Sequence, residues 1–260
     1  DFGEMTRVIS QRLKTGFVAK ITTVSGELSG VAAAPAAGDY GNDIVTGGGG
    51  ADVIFGGIGM DTLVGGASGD PTLAGEYRDI IVGDDGRLSY VESGVFAGSD
   101  FGDGSLSGDN DHAGIGDAIN VDDEPLGLTL DIVETVVSVT AGEADIISGG
   151  AGDDIILAGG GGDTVYGDDD YIGGVWVAQS QGNSGIDIII GDQGVVLLTN
   201  ALIRVVRSTA ATNAEGGGDT VGGNFGDDVV IGGVSGAATD TLGGGQGNDI
   251  LIGDEGVVLF

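Results

Sequence analysis

The sequence contains no cysteine, three prolines, one histidine and only eight basic side chains among 260 residues. Without cysteine, disulfides and thiolate metal sites are both excluded, and a single histidine argues against zinc. Three prolines and the lack of a Gly-X-Y period exclude a collagen-like helix. Eight Lys plus Arg face 41 Asp plus Glu, for a formal net charge of −33. Phosphate recognition needs a basic face, so nucleic acid is excluded as a partner, and anionic membrane surfaces are disfavoured for the same reason. No apolar run approaches the roughly 18 residues of a membrane-spanning helix, and no signal peptide is visible. The chain begins with Asp1 rather than Met, which leads us to expect a processed product or a piece of a longer chain.

What is abundant is glycine, at 57 residues, together with 40% hydrophobic residues rich in Ile, Val and Leu. That glycine share is about three times the usual ~7%. Flexible-linker disorder does not fit so apolar a chain. Glycine with β-branched residues instead predicts many tight turns separated by short strands. The acidic excess opposes compact folding unless cations enter the structure.

The order in the sequence is a nine-residue row. From Gly38 it reads GDYGNDIVT, GGGGADVIF, GGIGMDTLV, GGASGDPTL, AGEYRDIIV, with Asp43, Asp52, Asp61, Asp70 and Asp79 at the sixth position. The eighth position is apolar at Val45, Ile54, Leu63 and Ile81, and Thr72 is the exception. A second block, TAGEADIIS, GGAGDDIIL, AGGGGDTVY, places Asp145, Asp154 and Asp163 in the same frame, and Asp187 resumes it after an insertion. A third block adds Asp219 and Asp228, then, after three extra residues, Asp240 and Asp249. In this pattern, G-G-x-G-x-D-x-U-x, the first six residues suit a turn that needs positive φ. The last three suit a short strand whose U side chain points inward. Two rows make one coil, so residues two rows apart should stack: Asp43 over Asp61, Asp52 over Asp70, Asp61 over Asp79, Asp145 over Asp163. Stacked carboxylates with converging turn carbonyls suit a hard cation with six or more oxygen ligands, which points to calcium; magnesium prefers to keep its water.

Rows such as GGGGADVIF, GGIGMDTLV, GGAGDDIIL and GGQGNDILI resemble the hemolysin-type calcium-binding repeats of RTX proteins. The resemblance implies an all-β fold of parallel β-roll blocks. It also implies several calcium ions held by the thirteen sixth-position aspartates and nearby turn carbonyls, and folding outside the cell after secretion in a largely unfolded state. Ser68 and Tyr77 replace fourth-position glycines, so turns using them depart from the family pattern.

Above the nonapeptide lies a longer module. Asp79-Ile-Ile-Val-Gly-Asp-Asp-Gly, Asp187-Ile-Ile-Ile-Gly-Asp-Gln-Gly and Asp249-Ile-Leu-Ile-Gly-Asp-Glu-Gly are one motif. The Gly-Asp-x-Gly reads as a terminating turn leading into a different strand. Alternating stretches follow or precede the rows at Phe17–Val24, Leu128–Val139 and Ala201–Thr209, as expected of half-buried strands. A hairpin should join Val195–Thr199 to Leu202–Ser208. The blocks divide as 1–83, 84–191 and 192–253, with 254–260 opening a further module or an assembly strand, all in series. Asp1-Phe2-Gly3 matches the Asp-x-Gly of the terminating turn, which suggests a tandem array. Region 92–126, with its broken Asp and Gly register, reads as an acidic insertion to which no ligands are assigned.

No constellation for catalysis emerges. His112 lies in that insertion, no G-x-S-x-G elbow or HExxH helix is present, and no Lys-Ser/Thr follows the glycine-rich turns. We therefore expect no enzyme. Tyr171 and Trp176 could contact a glycan or protein target, but packing against the roll is the commoner use of such residues. The expected role is a calcium-stiffened segment of a secreted or cell-surface protein: an adhesin, surface layer or extracellular filament. The alternative is a calcium-dependent secretion and folding domain beside an enzyme or toxin. Like modules could also join head to tail through the apolar strand Val257–Phe260.

Overall fold

A computed structural model describes residues 9–12, 18–22, 41–48, 51–66, 78–92, 128–136, 142–177, 185–199, 202–209 and 216–260. Asp1-Phe2-Gly3, Asp70, His112 and nearly all of region 92–126 lie outside the described residues.

Every regular element among the described residues is a β-strand. The chain opens on an antiparallel pair, β1 (Ile9–Arg12) and β2 (Val18–Thr22). β3 (Ile44–Gly48) starts one face of a roll and β4 (Val53–Phe55) the other. β5 (Thr62–Gly66) returns beside β3, and β6 (Ile80–Val82) beside β4. The chain then leaves the roll for β7 (Gly86–Glu92) and β8 (Leu128–Thr135), an antiparallel pair. It resumes with β9 (Ile146–Ser148), β10 (Ile155–Leu157) and β11 (Thr164–Tyr166), alternating between the two faces. A small hairpin of β12 (Asp170–Ile172) and β13 (Val175–Val177) precedes β14 (Ile188–Ile190). The expected hairpin is then found, as β15 (Gly194–Thr199) against β16 (Leu202–Ser208). The roll closes with β17 (Thr220–Phe225), β18 (Val229–Ile231), β19 (Thr241–Gln246) and β20 (Ile250–Ile252), and β21 (Val257–Leu259) leaves it again.

Three large sheets result, beside the two-stranded β12-β13 hairpin. The first face is β19-β17-β11-β9-β5-β3 and the second is β20-β18-β14-β10-β6-β4, each six-stranded and parallel. A seven-stranded antiparallel sheet, β1-β2-β7-β8-β15-β16-β21, takes up the β7-β8 and β15-β16 excursions together with β1-β2 and β21. Both parallel sheets run across positions 83/84 and 191/192, so the segments 1–83, 84–191 and 192–253 supply successive rungs of one roll rather than a roll apiece. Each Gly-Asp-x-Gly turn carries the chain from the second face into the antiparallel sheet, at β7, β15 and β21.

Packing follows from the row. Eighth-position side chains (Leu63, Ile81, Ile147, Ile156, Val165, Ile189, Val221 and Val230) meet between the two parallel faces and are buried there. Neighbours in the strand point the other way, as the pleat requires. On the second face these are apolar (Ile80, Val82, Ile155, Leu157, Ile188, Ile190, Val229, Ile231), and they pack with Leu88, Val133, Val196, Leu198 and Val206 of the antiparallel sheet. On the first face the same positions are mixed, with Thr62, Thr164, Thr220, Ser148 and Gly222 beside Val64, Ile146 and Tyr166, and the seven-stranded sheet packs on the other face. Trp176 packs on this first face, edge-on to Tyr166 with centroids 4.5 Å apart and 4.8 Å from Tyr171. The aromatic pair of the insertion is thus a patch on the flank of the roll.

Candidate metal centres in the turns

The twelve described motif aspartates form two columns, one along each edge of the roll. Down the first, the backbone N–H of each aspartate donates to Oδ1 of the next: Asp43 to Asp61, Asp61 to Asp145, Asp145 to Asp163, Asp163 to Asp219 and Asp219 to Asp240, at 2.7–3.0 Å. Down the second run Asp52 to Asp79, Asp79 to Asp154, Asp154 to Asp187, Asp187 to Asp228 and Asp228 to Asp249, at 2.7–3.1 Å. Each aspartate carbonyl meanwhile accepts the N–H that opens the following strand, as in Ile146 to Asp61 and Ile155 to Asp79, both 2.9 Å. The side chain therefore spans rungs while the main chain continues the ladder.

Two expected pairings are corrected. Asp43 over Asp61 and Asp145 over Asp163 are found, but Asp61 stacks on Asp145, and Asp79 takes the place beside Asp52 expected of Asp70. The chemistry of the fourth row explains the slip. The residue after the motif aspartate must donate an N–H to the preceding rung, as Thr62 and Ile80 do. Residue 71 is proline and has none. Asp70 itself lies outside the described residues.

Oδ1 is thus used at every aspartate after the first of each column. Oδ2 of Asp52, Asp61, Asp145, Asp154, Asp163, Asp187, Asp219 and Asp228 is buried without a hydrogen-bond partner. Buried polar atoms are rarely left so, and a whole series of them is the mark of a missing positive ligand. For all of these but Asp163, a glycine at the first position of the turn leaves room beside the oxygen. A Cβ on Gly149 would lie 2.6 Å from Asp154 Oδ2 and 2.5 Å from the Gly167 carbonyl oxygen; one on Gly56 would lie 2.6 Å from Asp61 Oδ2 and overlap the Gly83 carbonyl. Each cradle therefore presents a carboxylate oxygen and the main-chain carbonyl of the adjacent rung. The glycines at the second and fourth positions, such as Gly150 (φ 100°) and Gly152 (φ 136°), hold the turn in the left-handed region that presents those carbonyls. Among the described residues no three carboxylates converge, so a cation here would complete its shell from main-chain oxygen, a donor set that suits calcium and not zinc.

Burial dominates the electrostatics. It raises Asp61, Asp79, Asp219 and Asp228 from 3.8 to about 6 and Asp145 to about 8, and it lifts Asp154, Asp163 and Asp187 well above the ordinary value. Neighbouring carboxylates push the same way, against the backbone N–H bonds to Oδ1. Without metal, the folded chain holds protons that the unfolded chain releases above 3.8, so stability is full below that pH and is lost as pH rises through 6 to 8. We expect metal-stripped protein to show β-sheet circular dichroism near pH 4 that declines by pH 8. Calcium affinity should rise over the same interval, because calcium must displace those protons. A metal-free signal that grows with pH would contradict this assignment.

Three further aspartates, not among the candidates read from the sequence, lie in the same turns. Asp84, Asp168 and Asp192 are buried. Each stands at the second position of a row, where a continuing turn has a positive-φ residue such as Gly57, Gly159 or Gly233. The only described non-glycine residue with positive φ is Asn224. At all three aspartates the chain turns out of the roll, and the carboxylate stays behind. Asp84 Oδ2 accepts the Gly160 N–H at 2.6 Å, Asp168 accepts from Phe225 at 2.8 Å and from Gly185 at 3.2 Å, and Asp192 accepts from Val234. At Asp84 and Asp192 the substitution of Gly by Asp at row position two was visible in the sequence, but only as part of the terminating turn; Asp168, in Gly167-Asp168-Asp169-Asp170, stands outside that motif.

Compared with known proteins, residues 37–70, 140–171 and 234–257 match the family model described as RTX calcium-binding nonapeptide repeat (4 copies). No curated protein and no solved structure matches the chain. Asp79, Asp187, Asp219 and Asp228 fall outside the matched stretches, yet they occupy the same two columns as the aspartates within them.

Proposed function

Because the chain carries RTX calcium-binding nonapeptide repeats, we propose that it is a structural segment of a secreted or cell-surface protein, of the adhesin, surface-layer or filament type, that folds and stiffens on extracellular calcium. One observation carries the reading: two columns of buried aspartates along the roll, most with a carboxylate oxygen that lacks any partner. The ligands in this reading are the motif aspartates Asp43, Asp52, Asp61, Asp79, Asp145, Asp154, Asp163, Asp187, Asp219, Asp228, Asp240 and Asp249, with first-position carbonyls of neighbouring rungs. Bound calcium would neutralise the columns and tie each rung to the next; the chain's own residues supply the cradle and exclude water. Extracellular modules need affinities of only about 10⁻⁴–10⁻³ M, which leaves the chain unfolded at cytosolic calcium and rigid outside.

A mechanical role fits a fold whose buried charge lies in its turns. Small-angle X-ray scattering tests the proposal. The radius of gyration should fall from about 56 Å without calcium to about 18 Å at millimolar calcium, the values for unfolded and compact chains of this length. A compact particle in both conditions would refute calcium-driven stiffening.

A further inference from the structure

The roll's turns are not all continuous. At three of them the chain leaves after the second row position and a distant segment completes the turn. Gly83-Asp84 is completed by 142–145, Gly167-Asp168 by 185–187, and Gly191-Asp192 by 216–219. In each, an aspartate stands at the departure and the motif aspartate (Asp145, Asp187 or Asp219) at the return. The fourth interruption, after Gly66, keeps glycine at this position.

Two of these split turns are short of partners in the same way. Asp84 is 5% exposed and Asp192 is fully buried. Asp84 Oδ1 and Asp192 Oδ1 have no hydrogen-bond partner, and neither do Asp145 Oδ2 and Asp219 Oδ2 beside them. The carboxylates lie within the turns. A Cβ on Gly159 would sit 2.5 Å from Asp84 Oδ2, one on Gly83 2.5 Å from Asp145 Oδ2, and one on Gly216 2.7 Å from Asp192 Oδ2. Asp84 and Asp145 repel each other, as do Asp192 and Asp219. Nothing basic faces either pair among the described contacts, so two buried anions share each turn without a cation.

We propose that the split turns at Asp84/Asp145 and Asp192/Asp219 are cation sites that use an aspartate outside the motif position beside a motif aspartate, and that a divalent ion bound there staples the departing strand to the returning one. The inference rests on the calcium reading of the row and extends it to residues outside the motif position. Its structural consequence is local. β7 begins two residues after Asp84 and β15 two residues after Asp192, so the ion fixes the points where the antiparallel sheet is anchored to the roll. The additional carboxylate adds negative charge to the donor set, which raises affinity for a hard cation.

The test counts bound calcium on the full chain by native mass spectrometry at fixed free calcium, for the unaltered protein, Asp84→Asn, Asp192→Asn and the double variant. Each single variant should lose about one ion and the double variant about two. Amide exchange should quicken in Gly86–Glu92 or Gly194–Thr199, next to the altered turn, and stay unchanged in Ile250–Ile252. Variants that fold with an unchanged ion count overturn the staple while leaving the motif cradles intact. Absence of bound calcium in the unaltered protein would instead overturn the underlying reading. Should a variant fail to fold, anomalous diffraction from the unaltered protein decides: calcium peaks about 2.3–2.6 Å from both Asp84 and Asp145 support the site, and their absence there refutes it.

Discussion

Chelating calcium at neutral pH should abolish the β-sheet circular dichroism of this chain, and returning millimolar calcium should restore it. The argument is one of opposing magnitudes. Each rung contributes two strands, many only three residues long, and an inner layer of one eighth-position side chain per strand, such as Ile156 against Val165. Fully burying such an aliphatic side chain is worth roughly 1.5–3 kcal/mol. Ordering the backbone of a nine-residue row costs about 1–2 kcal/mol per residue, and glycine, the commonest residue here, loses the most freedom. Into that narrow balance every rung but the last also places a carboxylate with a buried, unpartnered oxygen, within a chain of net charge −33. An uncompensated buried charge costs several kcal/mol. Removing the cations leaves that cost in all of these rungs at once, so the loss should be cooperative and global rather than a fraying of the ends. Magnesium at the same concentration should restore the signal poorly, since cradles built from fixed carbonyls do not allow the ion to retain its water. A native spectrum in excess chelator at pH 7.5 would mean that the orphaned oxygens are tolerated without metal, and the functional proposal would fall with that result.

Local structure was legible in the sequence because it has a short period. The eighth-position residues are the inner layer, Gly-Asp-x-Gly does carry the chain off the second face after β6, β14 and β20, and Val195–Thr199 does pair with Leu202–Ser208. Long-range order was not legible. Stacking depends on the bond from one aspartate N–H to the next Oδ1, which is indifferent to sequence separation. Asp61 therefore bonds Asp145, 84 residues away, as well as Asp145 bonds Asp163, 18 away. An excursion of any length returns to the next rung, and the three blocks merge into one roll. One clue to the covering sheet was present in the rows. Ile80 and Val82, or Ile188 and Ile190, flank their inward residue with apolar side chains on the outer face, whereas Thr164 and Thr220 do not. Reading it requires knowing which rows share a face, and the extra row containing Pro71 shifts that alternation. Asp84, Asp168 and Asp192 escaped for a related reason. Their role depends on a turn completed by a remote segment, and no local window contains both halves.

Replacing Asp154 by asparagine should change stability in opposite directions with and without calcium. Asp154 is fully buried; Oδ1 accepts the Asp79 N–H at 2.8 Å and Oδ2 has no partner. Asparagine keeps the shape and the accepting oxygen but carries no charge. In chelator at pH 7.5 the unaltered chain must either bury that anion or hold a proton, and burial has already raised its pKa well above the ordinary value. Asp154→Asn removes the conflict, so metal-free variant should be more resistant to urea than metal-free parent. In calcium the order reverses, because the cradle loses its anionic ligand. The calcium midpoint for folding should rise about tenfold, equivalent to ~1.4 kcal/mol. Asp154→Ala separates the two roles of the side chain. It leaves the buried Asp79 N–H without an acceptor, costing roughly 1–3 kcal/mol, and so should give up the gain in chelator while sharing the loss in calcium. Urea titrations of the three proteins in both conditions decide the matter. If Asp154→Asn is the weaker protein in chelator and equals the parent in calcium, the carboxylate serves only as a hydrogen-bond acceptor, and the columns are scaffolding rather than metal ligands.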